Sequence, residues 1–226
     1  MDWLSPDFFF ALLSIIVIDL VLAGDNAIVI GMAARNLPDR LQKKAIFWGT
    51  AAAVVVRMLL TLAVVWLLRI PFLMAIGGVV LIWIAANLLT EQTGEEHQEE
   101  SAGNLFAAIR TIVVADLVMG LDNVLAIAGA SHGSFVLVVL GLLISVPIMV
   151  WGSTIIMRLM ERMPWILYVG AGILAWTAAR MITDDPRFVH FFEQMPILRW
   201  LLITLAVAGV LSLGLWKNRR SQAPGT

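Results

Sequence analysis

Apolar positions along the chain fall into long runs separated by short polar stretches, at roughly 8–34, 45–68, 72–90, 105–130, 135–158, 165–183 and 197–216. Each run is near or above the roughly 20 residues that a helix needs to cross about 30 Å of hydrocarbon. The alternating ten-residue segments of a β-barrel are missing. Lipid offers the backbone no hydrogen-bond partners, so a spanning segment must satisfy its own, which leaves helices. The pattern predicts an all-α polytopic membrane protein with seven transmembrane helices.

Composition agrees. Of the 226 residues, 61% are hydrophobic and 14% charged, with a mean hydropathy of +0.93, against roughly 25% charged in a soluble domain. Met1-Asp2-Trp3-Leu4 gives no basic lead into the first run, which is itself too long for a signal peptide, so no secretory signal is expected. The absence of cysteine removes disulfides, thiolate zinc sites and cysteine nucleophiles. The balance of 15 basic and 16 acidic residues does not point to nucleic acid. His97, His132 and His190 fall in expected loops without ligand spacing and read as surface residues.

Charge sets the orientation. Arg35, Arg40, Lys43 and Lys44 follow span 1, Arg158 and Arg162 follow span 5, and Lys217, Arg219 and Arg220 follow span 7. Seven spans with an outside N-terminus put all three clusters in the cytoplasm, as the positive-inside rule requires. The opposite loops carry little more than Arg69, Arg187 and Arg199. The expected location is the bacterial inner (cytoplasmic) membrane, with the C-terminus cytoplasmic. Residues 91–104 are acidic and lack an apolar face, which reads as a solvated cytoplasmic linker.

The segments on either side of that linker repeat. Asp19-Leu20-Val21 followed by Asp25-Asn26 matches Asp116-Leu117-Val118 followed by Asp122-Asn123. Gly77, Leu81, Trp83, Ala85, Ala86 and Thr90 align without gaps on Gly170, Leu174, Trp176, Ala178, Ala179 and Thr183. Three spans per half is an odd number, so the halves would cross the bilayer in opposite senses. That is the inverted repeat of many transporters, which bind substrate near mid-membrane. The expected divisions are a first three-helix repeat over 1–90, the linker over 91–104, a second repeat over 105–183, and a loop, seventh helix and basic tail over 184–226.

Asp19, Asp25, Asp116 and Asp122 all lie within apolar spans. A carboxylate there costs about 2.5–3.5 kcal/mol on insertion scales and marks an ion path more often than not. One such aspartate is readily explained by an interhelical hydrogen bond, but two copies of one motif are not. Span 1 is long enough to be interrupted at Ala23-Gly24-Asp25-Asn26, with Asp25 or Asn26 capping a second half-helix over 27–34. Gly120 predicts the same interruption in span 4. Carboxylates, amide oxygens and freed carbonyls make a hard-oxygen site for Mn²⁺, Mg²⁺ or Ca²⁺. Asn26 and Asn123 suit capping as well as ligation.

Arg57 sits about twelve residues from either end of span 2, too deep to snorkel, and is expected to pair with a carboxylate. The matching part of span 5 holds Ser145, Pro147, Ser153 and Thr154 instead. Arg110 is close enough to the end of span 4 to snorkel. Four aspartates against one arginine leave the metal-free site strongly negative, which predicts that metal movement is coupled to protons.

At residues 20–38, 42–49, 116–133, 145–147, 151–153 and 164–182 the chain resembles the TerC family of integral membrane proteins, within the lysine-exporter superfamily. The likeness is strongest to its YjbE-like branch, often linked to manganese-sensing riboswitches. The resemblance implies export of a divalent metal, chiefly Mn²⁺, as substrate, with no prosthetic group and no enzymatic activity. It also implies Asp19, Asp25, Asn26, Asp116, Asp122 and Asn123 as metal ligands, beside which Arg57, by its depth alone, is the candidate charge partner. The expected partners are the lipid bilayer and the metal ion; self-association is left open. One alternative is a membrane factor that delivers metal to, or assembles, exported proteins. The other, an intramembrane aspartyl protease, lacks its signatures: Tyr168 precedes Val169, and Leu-Ala-Gly precedes Asp25.

Overall fold

The computed structural model describes residues 6–22, 24–67, 70–90, 102–131 and 134–221. Most of the acidic linker, together with His97 and His132, lies outside these residues. The described chain forms α1 (Pro6–Leu22), α2 (Gly24–Ala34), α3 (Asp39–Leu67), α4 (Leu73–Thr90), α5 (Ala102–Ala130), α6 (Phe135–Arg162), α7 (Trp165–Asp184), α8 (Val189–Gln194) and α9 (Pro196–Ser221), with no strand. Among the described residues six helices are long and apolar enough to cross a membrane, and the count is seven if the bent pair α1 and α2 is one span. The molecule is a multi-pass integral membrane protein. Its outer surface is apolar, with Phe10, Trp83, Phe106, Trp151 and Ile197 exposed, as a lipid-facing surface should be.

The interruption expected in span 1 is present. Phe8–Leu20 and Gly24–Ala34 meet at 48°, and a Cβ added to Gly24 would touch nothing within 4 Å. The second helix resumes at Gly24, so Asp25 falls within its first turn, where a negative charge faces the positive end of the helix dipole. The interruption expected in span 4 is absent, because α5 runs unbroken through Gly120. Arg57 and Leu60 of α3 flank this glycine. Gly120 thus has neighbours from α3 at van der Waals distance, where Gly24 has open space. His190, expected in a loop, lies in α8 and is exposed.

The helix pairing positions the site. α3 packs most extensively on α5, α1 and α2 on α6, and α4 on α7, while α9 covers α7 and α4. Close approach depends on glycine. A Cβ on Gly78 would overlap the Ala178 carbonyl oxygen, and one on Gly77 would press on Val118 and Met181. Where α4 meets α7 the chains run antiparallel, and Asp185, just past α7, accepts a hydrogen bond from the Ala75 amide at 3.1 Å. Three apolar clusters form the interior. One lies around Met32, Leu81, Ala115 and Leu174, one around Ile30, Ile46, Ile112 and Met149, and one around Ile15, Val54, Ile127 and Leu142.

Candidate functional site

Two glycines set the register of the motif helices. Gly49 of α3 seats Ile112 of α5, a Cβ there standing 2.7 Å from Ile112 Cδ1, and Gly141 of α6 seats Ile15 of α1 in the same way. Ile15 and Ile112 each stand one helical turn before a motif aspartate, Asp19 or Asp116. One turn beyond Gly141, Ser145 donates to Asp19 Oδ2. One turn beyond Gly49 stands Ala53, which is buried. A further turn along α3 comes Arg57, whose Nε lies 3.9 Å from where a Cβ on Gly120 would be. Contacts at Gly49–Ile112 and Arg57–Gly120 bracket Ala53 and Asp116, so the register brings those two to the same level.

Arg57 joins the two motifs. Its Nη1 donates to Asp19 Oδ1 and its Nη2 to Asp116 Oδ1. Arg57 and Asp19 are 0% exposed and Asp116 only 5%. The guanidinium is planar with forked donors, so one side chain can hold two carboxylates from different helices. Among the described residues the group is incompletely satisfied: Arg57 Nε and Asp116 Oδ2 are buried and no described group hydrogen-bonds to them. The single Ser145 proton serves one acceptor at a time, Asp19 or the Leu142 carbonyl at 2.9 Å.

The remaining motif residues lie around this centre. Asp25 is half-buried; its Oδ1 accepts from the Asn26 amide at 3.0 Å, and its Oδ2 from the Thr177 hydroxyl of α7 at 3.4 Å. Asn26 is buried with neither side-chain atom partnered, and Asn123 is buried. The Asp122 side chain lies outside what the structure describes. Among the described residues, no three acidic, histidine or cysteine side chains converge closely enough to hold a metal. Arg57 instead holds Asp19 and Asp116. Asn26 Oδ1 and Asp116 Oδ2 are nonetheless unmet buried oxygens, donors of the kind a hard cation takes.

A cavity of about 290 Å³ opens between α2, α4 and α5, lined by Ala33, Asn36, Leu37, Leu88, Asn104 and Thr111 among others. Ala33 lies two turns after Asn26 on the same face of α2, and Leu37 follows in the turn after that helix. The cavity therefore lies at the basic-cluster end of α2.

The model of the integral membrane protein TerC family matches residues 4–222. The chain belongs to that family. This TerC protein is 48% identical over 208 residues to the membrane protein YjbE of Bacillus subtilis (strain 168), covering 92% of this chain and 95% of that one. It is 25% identical over 227 residues to the membrane protein YkoY of the same organism, covering 88% of this chain and 70% of that one. It is 24% identical over 201 residues to the inner membrane protein YgdQ of Escherichia coli (strain K12), covering 81% and 84%. No solved structure matches the TerC chain.

The sequence of this TerC protein identifies Arg57 as a residue needing a carboxylate, and the structure supplies two. Ser145 stands out in the sequence only as a polar residue in an apolar span, and its role emerges from the α1–α6 register. Thr177 carries no signal in the sequence, since a threonine within a span commonly bonds its own helix, as Thr154 does to the Val150 carbonyl at 2.8 Å.

Proposed function

We propose that this protein exports a divalent cation, Mn²⁺ by its family resemblance, from the cytoplasm across the bacterial inner membrane. The site lies where two inverted three-helix repeats meet. The observation that carries the reading is the buried pairing of Asp19 and Asp116, the same position in each motif copy, through one arginine. Buried charges inside spans are expensive and mark ion pathways. The matching Gly49–Ile112 and Gly141–Ile15 contacts support the inverted repeat, since each motif helix meets the second helix of the other half in one register. The cavity beside Asn36 and Thr111 supplies a cytoplasmic approach. Proton exchange belongs to the reading because the four motif aspartates outnumber the one buried arginine.

The arrangement argues against an aspartyl protease built on Asp19 and Asp116. Such a pair shares one proton between carboxylates in contact, whereas here a guanidinium stands between them. A metal-delivery factor would use the same site, so flux by the protein alone separates the two roles. Proteoliposomes containing only this chain and a trapped Mn²⁺-sensitive dye should show Mn²⁺ flux, lost in Asp25→Asn and Asp122→Asn variants that still insert. Absence of flux from wild-type protein that binds Mn²⁺ would favour delivery.

A further inference from the structure

We propose that Arg57 is the built-in counter-ion of the cation site: its guanidinium occupies Asp19 and Asp116 when no metal is bound, and a divalent cation takes those carboxylates only by displacing it. This rests on the reading of the chain as a divalent-cation transporter. A carrier must change conformation empty as well as loaded. Two bare carboxylates in a low-dielectric interior would oppose the empty step. A tethered cation compensates them without being transported, and its +1 charge makes it a weaker occupant than a +2 ion.

The geometry has the features that displacement needs. Arg57 gives one prong to each motif copy, so a single movement frees both carboxylates. Among the described residues its hold is incomplete, with Arg57 Nε and Asp116 Oδ2 both buried and without a hydrogen-bond partner. The stem passes Gly120, where no side chain blocks the guanidinium and even a Cβ would stand 3.9 Å away. The unmet Asn26 and Asp116 oxygens are where an entering ion first finds ligands. Metal and arginine are thus alternative occupants, and the arginine keeps binding weak enough for release.

The test is Mn²⁺ binding to purified full-length protein in nanodiscs, read from the loss of the free Mn²⁺ electron paramagnetic resonance signal. Mn²⁺ flux is measured in parallel in proteoliposomes. Arg57→Gln should bind Mn²⁺ at least tenfold more tightly than wild type and turn over at least tenfold more slowly. In Arg57→Ala, millimolar guanidinium should weaken Mn²⁺ binding and restore part of the flux, while urea, its neutral isostere, should do neither. Where Arg57→Gln does not survive extraction, Arg57→Lys serves, with at least threefold tighter binding expected. Unchanged or weaker binding in the variants, beside a wild type that binds, overturns the counter-ion role and leaves the metal site standing. Absence of binding in wild type and variants alike removes the metal reading and the counter-ion role with it.

Discussion

Ser145 donates its hydroxyl to Asp19 from one turn beyond Gly141, where the corresponding position one turn beyond Gly49 is Ala53, a residue with no donor to offer. Asp19 has both oxygens engaged, whereas Asp116 Oδ2 has no hydrogen-bond partner among the described residues. The two motif copies are alike in backbone register and unlike in the second donor.

Supplying the missing donor should therefore settle Asp116. Ala53→Ser is expected to stabilise the protein by about 1.5–3 kcal/mol, the range for a hydrogen bond to a charged group. It should also weaken Mn²⁺ binding several-fold, because Oδ2 is no longer open. Ser145→Ala should destabilise by a similar amount. Thermal unfolding in detergent, at about 2–4 °C per kcal/mol for a chain of this size, reads both. A lower melting temperature for Ala53→Ser would show that the register does not extend to that turn.

The glycine seats make a second prediction. At Gly141 a Cβ would meet Cγ2 of Ile15 and, at 3.1 Å, its Cβ, atoms close to a stiff β-branched stem that cannot swing away. At Gly49 the nearest atom is Cδ1, the mobile end of Ile112. Gly141→Ala should cost about 1–3 kcal/mol through overpacking and Gly49→Ala less. Adding Ile15→Ala to Gly141→Ala should recover part of the loss, whereas Gly152→Ala, with nothing within 4 Å, should be neutral. Additive losses in the Gly141–Ile15 double variant would contradict this contact.

Span lengths were legible in the sequence because bilayer thickness fixes them, whatever the packing. The break at Gly24 was legible from a glycine ahead of Asp25-Asn26, yet the same signal at Gly120 misled. Arg57 and Leu60 lie against Gly120, and those neighbours come from another helix. The need of Arg57 for a carboxylate followed from its depth, but not its choice of Asp19 and Asp116. Ser145 and Ala53 gain their roles only when α1 meets α6 and α3 meets α5. The six-residue α8 was missed because so short a helix has no period to read.

Asp185 carries the third prediction. Fully buried, it accepts from the Ala75 amide at 3.1 Å and the Arg187 amide at 2.9 Å, so it supplies the start of α4 with an acceptor from outside the helix. The turn it holds is strained, since Phe72 has a φ of 60° and its ring lies 5.4 Å from Phe188. Asp185→Ala should cost about 1–3 kcal/mol, the penalty for leaving buried donors unmet. Asp185→Asn, which keeps one acceptor oxygen, should cost less. Equal stability of all three proteins would mean that water satisfies those amides.

Orientation is the last prediction, and burial decides where to test it. By the positive-inside rule the α2–α3 turn is expected in the cytoplasm and the segment after α7 outside. In those two segments Gln42 and Asp185 are poor reporters, because both are buried, Gln42 donating to the Arg35 carbonyl at 3.2 Å. Lys44 and His190 are exposed, and the absence of native cysteine means that an introduced one is the only target. In intact spheroplasts a membrane-impermeant maleimide should label His190→Cys and spare Lys44→Cys. In inside-out vesicles the pattern should reverse. Labelling of Lys44→Cys from outside would invert the protein and with it the direction of export, because the cavity beside Asn36 and Thr111 would then open away from the cytoplasm.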